Sequence, residues 1–389
     1  MYTGPMRSIF KSDKVAIVVN SLLVNAGVER RTLDFATFLR RRDLHVEVFV
    51  LRAIGGIAPI FKEAGIPVWH IRVYDYDDAS GRYHFFPVAF LHLVADLLRG
   101  RFGLIYCVQP PSYIFGRLAV FPPLGRRIVA MERFLVGGRS KRRLRMDRWM
   151  ARWSRVVCVS TLLRDELARD SGIPSDQIAV IEDGVSVAPP VDPQTELRGR
   201  LAGRFVFGCV GLLTGRKRQA LLIEAFATLV RDLPPAGRPA LILVGAGEDE
   251  EQLKKRVADS HLESDVIFTG EQIHVHDFYP LFDCFVFPSV GEGLGNVWAE
   301  AMQHGIPVIC ADVRPMNDYL RHNETALLAA PDDAKALTIE MGRLMDSETL
   351  RRQLGAHGKA FADDHFNAGR QMQKLLDLAL SPYPSSPAG

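Results

Sequence analysis

Two glutamates, Glu292 and Glu300, flank the start of a predicted helix and are the side chains best placed for chemistry. An apolar run that predicts a strand ends just before them, Gly293 and Gly295 lie in the turn, and the helix is predicted to begin near Asn296. Glycines let the backbone approach a ligand, and the N–H groups at a helix start favour an anion. Because a phosphate would repel carboxylates, we expect the two acids to bind hydroxyl groups on either side of it.

This arrangement predicts a site for a diphosphate with a sugar on one side and a ribose on the other. One acid lies in the loop and one on the helix, so both can face a single bound molecule. The alternative is a strand–turn–helix connection whose glycines serve packing and whose Glu300 is solvated. We favour the ligand site because the glycine loop, the helix start and the paired acids coincide.

The elements that would position this site alternate between apolar strands and helices. In the first half of the chain, a helix over 29–42 follows the first strand, and further strands come later. Continuous apolar strands are typical of a parallel sheet covered by helices on both faces. The strands are predicted at 14–20, 46–51, 67–71, 104–108, 127–130, 156–159 and 178–181.

The same alternation begins again after a stretch rich in proline and polar residues at 188–197, which is typical of a linker. The second half therefore predicts another doubly wound α/β domain. Its strands are predicted at 205–210, 240–244, 266–268, 284–287 and 307–310, and its helices at 219–229, 250–258 and 296–304.

The predicted architecture is two facing Rossmann-like parallel-sheet domains with an interdomain cleft. Ligands of such sheets bind at the carboxyl ends of strands, so the chemistry should lie in the loops that follow strands. We expect a first domain over 1–187, a linker over 188–200, a second domain over 201–365, a helix over 366–380 that returns to the first domain, and a disordered tail over 381–389.

The stretch 285–312 closely resembles the signature of glycosyltransferase family 4, retaining enzymes with the GT-B fold. The hallmark of that family is Glu, seven residues, then Glu, and the surrounding VFPS, EGLGN, EAM and GIPVI segments are similar too. The resemblance implies that Glu292 contacts the donor sugar and Glu300 the ribose of the nucleotide. It also implies that the phosphates are held by the backbone of Gly293, Leu294, Gly295 and Asn296.

A second segment, 210–226, resembles the glycine turn and basic pair of the same family. The resemblance implies that Gly211 borders the donor and that Lys217 neutralises its diphosphate. The family usually has an arginine directly after the glycine, where this chain has Leu212, and Arg216 is the side chain that would supply the missing charge. The alternative is that Arg216, Lys217 and the next arginine form a solvated basic run.

Four further site residues are implied by the resemblance. Gly270 and Glu271 follow a segment similar to the one that borders the nucleotide base, which they would contact largely through main-chain groups. Gly27 lies in a loop that would close over the diphosphate or the acceptor, although a structural turn explains it nearly as well. Glu132 occupies a place where relatives often face the acceptor, and the alternative there is a surface salt bridge.

The resemblance implies transfer of a sugar from a nucleotide-sugar to an acceptor hydroxyl, with retention at the anomeric carbon, in cell-surface polysaccharide or glycolipid assembly. No metal ion and no cofactor besides the donor is expected if cations and the helix start hold the diphosphate. Two alternatives stay open. One is a sugar-nucleotide epimerase or hydrolase on the same fold, and the other, which Leu212 keeps open, is a non-catalytic nucleotide-sugar-binding partner subunit.

Charge is divided unevenly between the two halves, although the whole chain carries only +3. Residues 1–190 hold 28 basic and 18 acidic side chains, a balance of +10, whereas residues 191–389 hold 20 and 27, a balance of −7. Such asymmetry points to an anionic partner for the first half. We expect a lipid-linked or anionic acceptor, and no nucleic acid partner.

The segment 139–155 predicts a basic amphipathic helix, with Met146, Trp149, Met150 and Trp153 at helical spacing. A basic helix with tryptophan can lie on an anionic membrane. The favoured alternative is that the apolar stripe packs on its own domain, because a helix before a buried strand must bury one face. The two interpretations are compatible, and the expected location is cytoplasmic or at the inner face of the membrane.

Several other classes of protein are disfavoured. The five cysteines fall in short apolar runs and suggest no disulfide framework, and no apolar run is long enough for a secretory signal or a membrane span. No Gly-x-Gly-x-x-Gly follows the first strand, which argues against a dinucleotide oxidoreductase. Residues 75–78 imitate an Asp-x-Asp metal motif but are predicted to be a polar loop, and His274 and His276 lack partners at metal-ligand spacing.

Overall fold

The computed structural model of the chain describes residues 12–22, 27–77, 82–122, 127–135, 139–187, 191 and 194–381. These residues form two compact units. The first comprises the residues up to Asp183 together with those from Gly369 onward, and the second runs from Gly184 to Ala368. Each unit has its own parallel sheet with helices packed on it, which confirms the predicted α/β class.

The first unit has nine strands in its described part: β1 (Lys14–Leu22), β2 (His45–Ile54), β3 (Val68–His70), β4 (Tyr74–Asp77), β5 (Arg82–Phe85), β6 (Leu104–Val108), β7 (Arg127–Glu132), β8 (Arg155–Cys158) and β9 (Ile178–Val180). Seven of them form a parallel sheet in the order β3-β2-β1-β6-β7-β8-β9. The strand β6 is buried throughout because helices cover both faces of the sheet.

Six helices connect these strands: α1 (Gly27–Arg40), α2 (Ala58–Glu63), α3 (Pro87–Arg99), α4 (Ser112–Ala119), α5 (Lys141–Met150) and α6 (Thr161–Ser171). One face of the sheet carries α3, α4 and α5. Alternate residues of the central strands, such as Ala16 and Val18 of β1, share one core cluster with Leu93 of α3, Ile114 of α4 and Met150 of α5. Because side chains alternate between the two faces of a strand, these three helices lie on the same side of the sheet.

The expectation of a polar loop over 75–78 is wrong for the three residues that the structure describes. Tyr74–Asp77 pairs in antiparallel fashion with Arg82–Phe85, and Asp78 lies outside the described residues. Aromatic residues favour strands, and the Phe85 ring stacks on Phe115 of α4 with 5.5 Å between ring centroids. Packing of the aromatic side chains therefore outweighs the polar character of the acids.

The second unit has six parallel strands: β10 (Val206–Val210), β11 (Ala240–Val244), β12 (Val266–Phe268), β13 (Cys284–Phe287), β14 (Val308–Ala311) and β15 (Leu327–Ala329). Their order is β12-β11-β10-β13-β14-β15, so β10 and β13 are neighbours at the centre. The helices are α7 (Thr195–Arg200), α8 (Gln219–Val230), α9 (Glu250–Asp259), α10 (Asn296–Gln303), α11 (Met316–Tyr319), α12 (Ala334–Asp346) and α13 (Glu348–His365).

The stretch assigned as a linker and the end of the described chain both contain helices. Six residues of the stretch assigned as a linker form α7, whereas 188–190 and 192–193 lie outside the described residues. The last helix, α14 (Ala368–Leu380), accepts hydrogen bonds within the first unit, where Arg42 donates to the Gln373 side chain at 3.0 Å. The predicted tail lies outside the described residues except for Ser381, whose carbonyl accepts from Arg127 at 2.6 Å.

Across the described part of the chain, none of the helices has the combination of length and apolar character that a bilayer crossing needs.

Candidate functional site

The loops that carry the predicted site follow neighbouring strands of the second unit. Gly211 follows β10, Gly245 follows β11, Gly270 follows β12, and the loop with Glu292 follows β13. The carboxyl ends of parallel strands lie at one edge of a sheet, which is where ligands of such folds bind. The fold of this unit therefore gathers loops that are far apart in sequence along one edge.

Close backbone approach explains why glycine occupies these turns. The Gly211 N–H donates to the Val244 carbonyl at 2.9 Å, and the Gly245 N–H donates to the Gly270 carbonyl at 3.0 Å. A methyl group on Gly245 would lie 2.1 Å from the Gly211 carbonyl oxygen, well inside van der Waals contact. Only glycine fits there without moving the turn. In the sequence alone, the glycines of the segment that contains Gly245 are only weak evidence for a site.

The centre of the site is a salt bridge between Lys217 and Glu292. The Lys217 Nζ lies 2.6 Å from Glu292 Oε1, and the same oxygen is 3.1 Å from Arg216 Nη1. The buried Ser289 hydroxyl donates to that oxygen as well. Glu292 is only 7% exposed, so its negative charge depends on these three donors for compensation. The structure thus brings together the three residues that we predicted to be catalytic.

Lys217 is held from several directions. Its side chain is 12% exposed and lies over the Phe287 ring, with Nζ 5.1 Å from the ring centroid. A cation over an aromatic face is attracted by the ring quadrupole. On the glycine turn, a methyl group on Gly211 would be 3.7 Å from Lys217 Cε, so the turn and the lysine are neighbours. Lys217 is therefore fixed between the turn after β10 and the loop after β13.

Arg216 ties the two loops together and is more exposed than Lys217. Its Nη1 donates to the Gly291 carbonyl at 2.8 Å, and its own carbonyl accepts from the Val290 N–H at 3.2 Å. The neighbouring Leu212, which stands where the family usually has arginine, is half exposed. Arg216 thus places a second cation beside Glu292. That it substitutes for the family's arginine stays a prediction.

The start of α10 is shaped by Gly295 and Trp298. Gly295 has a φ of +83°, and a methyl group there would come within 2.9 Å of the Phe287 ring. Left-handed backbone of this kind favours glycine. The fully buried Trp298 donates from Nε1 to the Leu294 carbonyl at 3.0 Å, which fixes the turn. Gly293 lies in this turn, and the helix begins at Asn296, so the N-terminal end of the helix, which favours an anion, directly follows the glycine loop.

Glu300 is held by Tyr279, a residue that the sequence patterns did not single out. The Tyr279 hydroxyl donates to Glu300 Oε2 at 2.8 Å in a buried position, and the Tyr279 ring stacks on His304 with 5.0 Å between centroids. Burial, with the nearby His276, lowers the pKa of His304 to about 4, so this ring is neutral at pH 7. Tyr279 thus positions the second acid of the site. The tyrosine lies 21 residues before Glu300, and no spacing rule connects the two.

Replacing Tyr279 by phenylalanine should weaken nucleotide binding about three- to tenfold, because a hydrogen bond to a charged acceptor contributes more than a neutral one. The ring packing on His304 is retained, but the buried Glu300 carboxylate loses a donor, so the protein should stay folded with a modestly lower melting temperature. Isothermal titration with nucleoside diphosphates measures the effect. A matched control is Tyr106→Phe in the first unit, whose hydroxyl is buried with no hydrogen-bond partner among the described residues. Equal affinity of Tyr279→Phe and the unaltered chain would contradict a positioning role.

The remaining predicted donor contacts of the second unit follow β12, at the same sheet edge. Gly270 has a φ of +69° and open space around the position of a Cβ, and Glu271 is exposed. Gly27 and Glu132 belong to the first unit. Gly27 is the first residue of α1 and also has open space around it. The acceptor role of Gly27 stays a prediction.

Glu132 is enclosed in the first unit. It forms a buried salt bridge with Arg139, accepts from the Tyr113 hydroxyl at 3.3 Å, and accepts from the Arg133 N–H at 3.0 Å. The pair is not the surface salt bridge that the sequence left as an alternative, because both side chains are almost fully buried. Contact of Glu132 with an acceptor stays a prediction.

The basic amphipathic segment divides between the core and the surface. The helix α5 covers 141–150 of the predicted segment, Met150 is fully buried, and Met146 and Trp153 pack against the same core cluster. Trp149 is exposed. Packing on the unit's own core thus accounts for most of the stripe. Trp149 and five of the basic residues are exposed: Lys141, Arg142, Arg145, Arg148 and Arg152.

No cluster of three or more His, Cys, Asp or Glu side chains suited to a metal ion occurs within the residues that the structure describes. His276 is buried, and His274 is exposed.

Two family models match consecutive parts of the chain. The model described as "Glycosyltransferase Family 4" matches residues 25–188, and the model described as "Glycosyl transferases group 1" matches residues 196–361. The chain belongs to the family 4 type of glycosyltransferases. This confirms the family that the Glu292 segment resembles.

Individual relatives with similar sequences are glycosyltransferases too. The chain is 32% identical over 189 residues to the lipopolysaccharide core biosynthesis mannosyltransferase LpsB of Rhizobium meliloti (46% of this chain, 52% of the relative). It is 28% identical over 239 residues to a GDP-mannose-dependent alpha-(1-6)-phosphatidylinositol monomannoside mannosyltransferase of Mycolicibacterium smegmatis (57% of this chain, 61% of the relative). The chain thus spans about half the length of the curated relatives it matches.

A solved structure with a similar fold is that of Anabaena Alr3699/HepE in complex with UDP. The TM-score is 0.78 at 22% identity, over 94% of this chain and 99% of the other. WaaG, a glycosyltransferase involved in lipopolysaccharide biosynthesis, has a TM-score of 0.73 at 16% identity, over 95% and 100% of the two chains. These similarities establish the GT-B fold for this glycosyltransferase.

Proposed function

We propose that this glycosyltransferase moves a sugar from a nucleotide-sugar to an acceptor hydroxyl, with retention at the anomeric carbon. The observation that carries the proposal is the 2.6 Å contact between Lys217 and Glu292 beside the glycine loop and the start of α10. A cation suited to a diphosphate and an acid suited to sugar hydroxyls are thereby held side by side. This is the pair of groups that a donor with a sugar–diphosphate bond requires.

Donor binding would exchange the partners of this pair. The diphosphate would replace Glu292 as the counter-ion of Lys217, and sugar hydroxyls would replace Lys217 as donors to Glu292. Both charges stay compensated through the exchange, which limits the cost of separating them in a largely buried position. The ribose would bind Glu300 in the position set by Tyr279, and the base would border Gly270 and Glu271.

The chemical step breaks the bond between the anomeric carbon and a diphosphate oxygen. The acceptor oxygen forms its new bond to that carbon on the same face, and its proton passes to the departing diphosphate oxygen. Lys217, Arg216 and the N–H groups at the start of α10 stabilise the negative charge that develops on the diphosphate. Because these groups supply the positive charge, we propose that transfer requires no metal ion and no further cofactor.

We assign the nucleotide-sugar to the second unit and the acceptor to the first. The basic surplus of the first half favours an anionic acceptor. The names of the two relatives, one in lipopolysaccharide core biosynthesis and one acting on a phosphatidylinositol mannoside, support an acceptor on a cell-surface glycan or glycolipid. We also propose that the basic segment 139–155 brings the chain to the surface of an anionic membrane.

A screen of UDP-, GDP- and ADP-sugars tests the proposal. Nucleoside diphosphate release, measured with and without lipid-phosphate acceptors, should depend on the acceptor and persist in EDTA. Nuclear magnetic resonance of the product should show the anomeric configuration of the donor. Release without acceptor would favour the hydrolase alternative, and conversion of the donor into its epimer without acceptor would favour the epimerase alternative. Nucleotide binding without turnover would favour a non-catalytic subunit. An inverted product, or activity lost in EDTA and restored by a divalent metal, would contradict the mechanism.

A further inference from the structure

The outer face of α3 exposes a row of large apolar side chains. Leu93 and Leu97 of this helix are fully buried in the core of the first unit, but Val88 is 66% and Leu91 63% exposed. Leu98, two turns beyond Leu91 on the same side, is exposed as well, and the exposed His92, Asp96 and Arg99 lie beside these apolar residues. A single exposed leucine is ordinary, whereas three exposed apolar side chains along one side of a helix form an apolar stripe in addition to the buried one.

Aromatic residues extend this surface on two sides. Phe85 and Phe86, which directly precede α3, are exposed. On the other side, Phe121 after α4 contacts Trp149 of α5 and Trp153, with ring centroids 5.2 Å and 4.7 Å apart. Because α3, α4 and α5 cover the same face of the sheet, their outer sides face the same direction. The apolar row and the aromatic cluster therefore belong to one side of the first unit.

The charges exposed on α5 are all basic. Its only acid, Asp147, is buried in a salt bridge with Arg117 at 2.9 Å. Exposed on α5 and directly after it are Lys141, Arg142, Arg145, Arg148 and Arg152. An apolar and aromatic surface bordered by lysine and arginine is complementary to the interface of an anionic bilayer, where acyl chains lie beneath phosphate headgroups.

We propose that α3 is the element that inserts into an anionic membrane, with Val88, Leu91 and Leu98 at the boundary of headgroups and acyl chains. Phe121 and Trp149 would lie at headgroup level, with the partly buried Trp153 packed beneath them, and the exposed basic residues of α5 would contact lipid phosphates. This proposal rests on the membrane contact proposed for 139–155, and it assigns the apolar part of that contact to α3 instead of to that segment. A second copy of the chain fits less well, since a symmetric contact through this face would bring two basic α5 helices together.

The test is sedimentation of the full chain with phosphatidylcholine vesicles that do or do not contain phosphatidylglycerol, without donor or acceptor. The unaltered chain should bind only the anionic vesicles, and less at high salt. Val88→Gln with Leu91→Gln should weaken binding by about tenfold or more, because affinity scales with the apolar area buried. Arg142→Gln with Arg145→Gln and Arg148→Gln should weaken binding and reduce its salt dependence.

The matched control is Ile339→Gln in α12 of the second unit, which alters a side chain that is 53% exposed. It should bind vesicles like the unaltered chain. Unaltered vesicle binding by the α3 variant, or no binding by the unaltered chain, would overturn the proposal. The proposal would also be overturned if the unaltered chain formed a dimer in analytical ultracentrifugation that the α3 variant abolished, while no vesicles were bound. Titration of nucleoside diphosphates into the same samples separates a failure of this surface from a failure of the donor site.

Discussion

Replacing Lys217 by alanine is expected to lower kcat by about a hundredfold to a thousandfold, the usual effect of removing one group that stabilises a developing negative charge. Lys217 is the nearest cation to Glu292 and is fixed by the turn at Gly211 and the Phe287 ring, so no other side chain can take its place without moving. The loss should be greater in turnover than in nucleotide affinity. Donor-dependent nucleoside diphosphate release at saturating acceptor measures it.

The matched control for this variant is Lys254→Ala. Lys254 lies on α9 in the same unit and pairs with Glu250 at 2.8 Å, but it is an exposed surface lysine. Exposed pairs contribute little, so stability and turnover should stay unchanged. Thermal melting shows whether Lys217→Ala remains folded, since Arg216 and Ser289 still compensate Glu292. Turnover of Lys217→Ala equal to that of the control would remove the lysine from the mechanism.

The strands were predictable where burial leaves a continuous apolar run between polar residues. The ranges 104–108, 240–244, 266–268 and 284–287 coincide with β6, β11, β12 and β13, because in a covered parallel sheet hydrophobicity alone marks the ends of the strand. The hairpin of β4 and β5 was missed because its stability comes from aromatic contacts with Phe115, which is distant in sequence. The short strand β15 carries too little apolar sequence to be found from pattern alone.

The identities of the site residues were predictable, but their partners were not. Glycine turns, a helix start and acids are local patterns, so Gly211, Gly295, Glu292 and Glu300 can be found in the sequence. The salt bridge to Lys217 joins residues 75 apart and depends on β10 and β13 being neighbours in the sheet. A local pattern contains no information about such pairing. Sequence reasoning therefore named Glu292, Lys217 and Arg216, and the fold added that both cations contact the same carboxylate oxygen.

The structure shows where the basic surplus of the first half lies. Among the described residues of the first unit, four arginines have buried side chains, and each forms a salt bridge with an acid: Arg31 with Asp34, Arg117 with Asp147, Arg133 with Asp183, and Arg139 with Glu132. These pairs cancel, so the surplus resides on exposed side chains, among them those of α5. A buried pair fixes structure and cannot attract a distant partner, whereas exposed charge can. The surplus is therefore free to act on an anionic acceptor or membrane.

Glu292→Gln is expected to separate transfer from nucleotide binding. Glutamine keeps the shape of the side chain and an oxygen for the Ser289 hydroxyl, but it removes the charge that pairs with Lys217 and Arg216. Both cations then face the diphosphate without a competing carboxylate, so nucleoside diphosphates should bind as tightly as before or more tightly. Transfer should fall by about a hundredfold or more, because a group that holds the sugar in the reactive geometry is lost.

Titration calorimetry and donor turnover, both on the same samples, measure nucleotide affinity and transfer. The control for the change in net charge is Glu263→Gln, which alters an exposed acid of the same unit. The comparison is decisive because a structural role and a donor role predict opposite signs for nucleotide affinity. If Glu292 only held Lys217 in place, its loss would release the lysine from the site and weaken diphosphate binding together with transfer. If Glu292 binds the sugar while Lys217 binds the diphosphate, affinity rises or holds as turnover falls, and parallel losses would contradict that division of labour.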